Sequence, residues 1–194
     1  MGSNGIDVVQ QGDSSGNNMV IRTKLSSGRQ IYGFATENLY GGDWDVGPTW
    51  NYLVTGKRPF LVDSGRRGKG LQLLQMIELA GFNARDIIAI IVSHGHEDHD
   101  GGLFEMANLI KTPVVAHEVY SYLVRSNAEA APTDEKADFP ASCWCCPMPK
   151  AFYQSNCLEY HRERQKLTIA TIEDFKEKLG QGIEVFHTPG HCPD

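Results

Sequence analysis

The chain has no surplus of positive charge: 18 Lys and Arg stand against 24 Asp and Glu, for a formal net charge of -6 at pH 7 and a pI near 5.6. A surface of that sign repels phosphate backbones, so nucleic acid is disfavoured as a partner. Local basic stretches, Lys57-Arg58 and Arg66-Arg67-Gly68-Lys69, are the exceptions. Long apolar runs are also missing. None approaches the ~20 residues that cross a bilayer, and the N-terminus has no charged-then-apolar leader, so the expectation is a soluble, cytoplasmic chain without a membrane partner. Cysteine is sparse and odd in number: five residues, with Cys143, Cys145, Cys146 and Cys157 gathered together and Cys192 apart. An odd set without an export signal argues against a disulfide framework. Cys143 and Cys146 form one Cys-x-x-Cys pair with no second pair to complete a structural zinc site, which leaves a small metal or redox site as the lesser alternative.

What is present suffices for one domain: 194 residues, 41% of them apolar. Residues 1–18, rich in Gly, Ser, Asn and Gln, read as a flexible tail, and 19–194 as the domain. Met19 to Leu25 and Gln30 to Thr36 alternate as a strand pair turning at Ser26-Ser27-Gly28, and Trp50 to Val54 with Pro59 to Val62 suggest another. Between them a Gly-rich loop carries Tyr40 and Trp44, which either cover a substrate or, for Trp44, pack on the sheet edge. Gly70 to Ala80 has helical spacing and ends at Gly81. Ile87 to Val92 reads as a strand buried on both faces. A helix from about Gly102 to Ile110, a strand at Pro113 to Ala116 and a helix at Glu118 to Val124 continue an α/β alternation. Residues 126 to about 166 break that pattern and read as an insertion that acts as a lid, with Tyr160 and His161 as solvated helix residues.

Directly behind the Ile87 to Val92 run comes His94-Gly95-His96-Glu97-Asp98-His99. Neutral imidazole and ionised carboxylate are donors that zinc accepts, and in extended backbone His94 and His96 point the same way while Gly95 lets the chain come close. Asp98 and His99 can turn to a second cation. A further supply lies in His187-Thr188-Pro189-Gly190-His191, after the strand-like run Ile183 to Phe186, where Pro189-Gly190 aims His191 off a strand end. His187 reads as a surface histidine and Glu97 as a solvent-side or supporting carboxylate.

The His-x-His-x-Asp-His signature followed by Gly101-Gly102, with Leu61-Val62-Asp63-Ser64-Gly65 upstream and Thr188-Pro189-Gly190-His191 downstream, resembles the metallo-β-lactamase superfamily over roughly 19–194. The resemblance implies a four-layer αββα sandwich with metals at one edge. It implies that His94, His96 and His191 hold the first metal, that Asp98 and His99 belong to the second, and that Asp63 braces the metal loop. The cofactor expected is one or two Zn2+, because diiron relatives carry a glutamate at the place of His96; iron or manganese also suits such ligands. The implied chemistry is hydrolysis of a small ester, thioester, lactone, lactam or sulfate ester by a metal-held hydroxide that Asp98 orients.

The resemblance also implies a further βα segment after Asp194, carrying a bridging aspartate and a last histidine. The expectation is therefore a fold incomplete at its C-terminus, with apolar surface left for a homo-oligomer or a completing chain. Two other functions stay open: a ribonuclease-like phosphodiesterase of the same superfamily, and a catalytically silent half-domain that serves as an assembly or binding module.

Overall fold

The computed structural model describes residues 5–38, 47–126 and 158–194. Their strands form one eight-stranded sheet in chain order: β1 (Ile6–Gln10), β2 (Val20–Lys24), β3 (Gln30–Thr36), β4 (Thr49–Val54), β5 (Phe60–Val62), β6 (Ile90–Ile91), β7 (Val114–Ala116) and β8 (Ile169–Thr171). Strands β1 to β5 pair antiparallel, and β5 to β8 pair parallel. The helices are α1 (Gly70–Leu79), α2 (Glu97–Asp100), α3 (Leu103–Ile110), α4 (Glu118–Ser126), α5 (Leu158–Gln165) and α6 (Ile172–Leu179).

Alternation along the central strands decides which side chain goes to which face. Leu53, Leu61, Ile90 and Val114 enter one core with Leu73 and Ile77 of α1, Leu103 and Met106 of α3, and Tyr120 and Val124 of α4. Their immediate neighbours Val54, Phe60, Ile91 and Val115 enter the other, against Phe175 and Leu179 of α6. The run Ile87 to Val92 is thus buried on both sides. Only Ile90–Ile91 is regular strand, although the ladder extends further, from Ile88 N to the Pro59 carbonyl and Val92 N to that of Val115, each at 2.9 Å.

Three expectations need correction. Residues 6–10, inside the stretch read as a tail, form an edge strand paired with β2 and held by an Asp7–Arg22 ion pair of 2.7 Å; every residue in it is exposed, so no burial pattern announces it. Ile183 to Phe186 is not a strand: Ile183 packs on the second core, while Phe186 is 73% exposed, because no neighbouring strand among the described residues offers it a ladder. In keeping with the mixed α/β fold expected, the described residues hold one sheet with a full helical layer on one face and α6 on the other. Tyr160 and His161 are buried rather than solvated, each 3% exposed.

Leu61 sits on the central strand β5 with no exposure. Leu61→Ala is expected to cost about 2–5 kcal/mol, read as a lower urea midpoint at unchanged slope.

Candidate metal centre

Parallel strands β5 and β6 end side by side, and the site is built on their ends. The chain leaves β5 at Asp63, a buried residue with φ of +65°. Asp tolerates this left-handed conformation better than most side chains. Its Oδ1 accepts from Ser93 N at 2.8 Å, and its Oδ2 accepts from Ser93 Oγ at 2.8 Å and lies 2.8 Å from His99 Nδ1. One carboxylate therefore ties the two strand ends together and orients the His99 ring. The His99 carbonyl is tied back in turn, accepting from Ser64 N at 2.8 Å and Ser64 Oγ at 2.9 Å. Gly102 permits this approach, since a Cβ there would stand 2.4 Å from the Ser64 carbonyl oxygen.

After Ser93 the backbone runs extended to His96, whose carbonyl accepts from His99 N and Asp100 N and so starts α2. His94 Nε2 and His96 Nδ1 lie 3.1 Å apart, and His191 Nε2 lies 3.1 Å from the same His96 Nδ1. These three donors fall within 4.8 Å of one another and could hold a metal ion. Two nitrogens bound to one tetrahedral zinc at about 2.0–2.1 Å are about 3.3 Å apart, so the spacing fits. The outward nitrogens are partnered too: His94 Nδ1 lies 2.9 Å from Ser93 Oγ, and His96 Nε2 3.0 Å from Cys192 Sγ. Partners of this kind orient a ligating imidazole.

Burial first, and then neighbouring imidazoles, lower the pKa of both His94 and His96 to about 4. Both rings are consequently neutral, as metal ligands must be. His99 moves the other way: burial alone would lower its pKa, but the hydrogen bond and charge of Asp63 outweigh it.

Beside the triad, the His99 ring centroid lies 4.2 Å from that of His94, and His99 Nε2 is 3.6 Å from Asp98 Oδ2. The same Asp98 oxygen accepts from Asn38 Nδ2 and Thr49 Oγ1, each at 3.1 Å. Sequence reasoning missed both donors; their signal is that β3 and β4 pair Thr36 with Thr49, which brings the two ends of the Gly-rich loop beside α2. Glu97 is not solvated: it is 1% exposed and accepts from Arg67 N at 2.7 Å. His187 stays out of the triad, stacked on His117 at 3.8 Å and 2.9 Å from the Pro193 carbonyl oxygen. Tyr40, Trp44, Cys143, Cys145, Cys146 and Cys157 lie outside the described residues. Two openings flank the site. A groove of about 940 Å³ runs from His94 and His191 along Phe60, Ile91 and Ile172, and a smaller one of about 490 Å³ lies between Asp98 and Trp50.

The chain has known relatives. The family model described as the metallo-beta-lactamase superfamily matches residues 44–194, and the chain belongs to that superfamily, whose members use metal ions. It is similar to an N-acyl homoserine lactonase of a Bacillus species, 26% identical over 170 residues, covering 75% of this chain and 55% of the lactonase. It is also similar to the exodeoxyribonuclease YycJ of Bacillus anthracis, 35% identical over 88 residues, covering 45% of this chain and 33% of the nuclease. The chain therefore spans between a third and about half the length of these curated relatives. Among solved structures, the subclass B3 metallo-beta-lactamase MEM-A1 from a soil metagenome library aligns at 26% identity and a TM-score of 0.43, over 61% of this chain and 39% of that one. No helix among the described residues is long and apolar enough to cross a membrane.

In metal-free protein, His94 and His96 are expected to protonate near pH 4 and His99 above 6.5, followed by NMR of the ring protons. The unfolded chain binds protons at His94 and His96 from pH 6.5 downwards while the folded chain does not. Their contribution to stability is thus full above 6.5 and disappears as the pH falls towards 4.

Proposed function

We propose that the chain carries the metal centre of a zinc-dependent hydrolase acting on a small ester, thioester, lactone, lactam or sulfate ester. The observation that carries this reading is the convergence of His94 Nε2, His96 Nδ1 and His191 Nε2 on one point. A three-nitrogen imidazole set suits zinc, with iron or manganese as chemically related occupants. When bound, the ion supplies Lewis acidity and an acidified water. Asp98 and His99 are assigned to a second ion, and Asp98 is the catalytic group that orients the attacking water. Asn38 and Thr49 support that role by restraining the carboxylate, and Asp63 supports it by fixing His99 and the strand ends. The lactonase likeness, which covers most of this chain, supports a small cyclic or acyclic ester over a polymer. The 490 Å³ opening beside Asp98 and His99 is of suitable size for one.

A second reading, phosphodiester cleavage in a nucleic acid, is favoured by the likeness to an exodeoxyribonuclease and opposed by the net charge of -6. The two separate in one set of assays on the purified chain with p-nitrophenyl esters, lactones and single-stranded oligonucleotides. The expected result is ester or lactone hydrolysis that a chelator abolishes and zinc restores. Asp98→Asn is expected to lower kcat by about 10²–10⁴-fold. Hydrolysis that persists in verified metal-free protein contradicts the proposal. Oligonucleotide cleavage, with binding that weakens steeply as salt rises, establishes the second reading instead.

A further inference from the structure

One strongly buried cation lies outside the histidine triad. Arg164 of α5 is 3% exposed, and its Nε is 3.0 Å from Oδ2 of Asp100, the last residue of the helical turn that carries Asp98 and His99. Two phenols share that carboxylate: Tyr120 Oη donates to Oδ2 at 2.9 Å, and Tyr160 Oη donates to Oδ1. The guanidinium also lies over both rings, 5.4 Å from the Tyr120 centroid and 4.8 Å from that of Tyr160. Its reach does not stop at Asp100. A Cβ added to Gly95, between the two ligand histidines, would stand 3.0 Å from Arg164 Nη2, 3.1 Å from Asp194 Oδ2 and 3.3 Å from Tyr120 Cε2.

Arg164 therefore lies against the first stretch of chain that supplies the triad and acts on the second through the charge of Asp194. Gly95 and Asp100 belong to the stretch with His94 and His96, and Asp194 follows His191 by three residues. The second stretch has few other restraints. It lacks regular structure and is mostly exposed, and apart from its ligand histidine its polar tie to the first runs through Cys192 and Asp194. The carboxylates of Asp100 and Asp194 lie close enough for their charges to oppose each other, and the Arg164 guanidinium is the opposite charge that acts on both. The helix bearing Arg164 is secured from its other side by Arg67, whose guanidinium pairs with Glu159 at 2.8 Å and Glu163 at 2.9 Å.

We infer that Arg164 is a positioning residue of the metal centre: it holds the His94–Asp100 segment and the His191–Asp194 segment in the register that brings three imidazoles together. The inference rests on the metal-centre reading above. Helix α5, at the far end of the segment read as an insertion, is in this view part of the metal site's frame. A planar fork suits the site better than an ammonium, because guanidinium can face a carboxylate edge and two aromatic faces at once.

The test uses the full chain and cobalt(II) as the probe, with affinity from chelator competition, the visible spectrum of the bound ion, and the melting curve of the metal-free protein. Wild type is expected to bind cobalt. Arg164→Gln is expected to weaken binding about 10–100-fold, the range for loss of groups that orient ligands, and to change the cobalt spectrum. Arg164→Lys is expected to recover part of the affinity. If Arg164→Gln does not fold, Arg164→Lys and Tyr160→Phe carry the test, each expected to bind more weakly with an altered spectrum while the metal-free protein still melts cooperatively. Variants that keep the wild-type spectrum and an affinity within about twofold of wild type overturn the inference and leave the metal centre standing. A wild-type chain that takes up no cobalt overturns both.

Discussion

The carboxylate of Asp63 is the constraint on which the rest of the site depends. Two parallel strands deliver their ends to the same level, but nothing in a β-ladder holds what comes after the last paired residue. Asp63 does so with both oxygens, taking the backbone N–H and hydroxyl of Ser93 and the Nδ1 of His99. The left-handed backbone this requires costs of the order of 1–3 kcal/mol. Three hydrogen-bond contacts to its carboxylate offset it. Residues either side of the metal segment are thereby fixed before any ion arrives, and His94 and His96 are carried between two anchored points.

Burial then does the electrostatic work. A ring that stays neutral at physiological pH offers a lone pair without first losing a proton, and burial together with neighbouring imidazoles favours that state for His94 and His96. His99 is set apart from the triad by its own partner, since the charge of Asp63 favours its protonated form when no metal is present. The same few residues thus contain two electrostatic environments, one suited to sharing a cation among imidazoles and one dominated by carboxylates. On the Asp98 and His99 side, the further donors among the described residues, Asn38 and Thr49, go to the carboxylate itself.

Much of this was legible in the residues. The unbroken apolar run Ile87 to Val92 predicts a strand with a core on each face, and Ile90 and Ile91 do enter different cores. The His94 and His96 spacing predicts nitrogens on one side of extended backbone, and they stand 3.1 Å apart. Less legible was anything that depends on a partner distant in sequence. Ile183 to Phe186 has the composition of a strand, but composition does not say whether a neighbour is there to pair with. Glu97 reads as either a solvent-side or a supporting carboxylate, and only the approach of Arg67, whose backbone N–H donates to it, shows it to be buried. Asn38, Thr49 and Arg164 carry no motif; each gains its meaning from a strand register or a helix docking that joins segments dozens of residues apart. Tyr160 and His161 sit in a helix of mostly charged residues, and only packing against α3 and α4 buries them.

The central claim is that three imidazoles from two distant segments share one metal ion. X-ray absorption at the zinc edge on the purified, metal-loaded chain tests it most directly. The account predicts stoichiometric zinc with a nitrogen-dominated shell at about 2.0–2.1 Å that carries the outer-sphere signature of imidazole. A shell dominated by sulfur at about 2.3 Å, or protein that retains no zinc after loading, would contradict it.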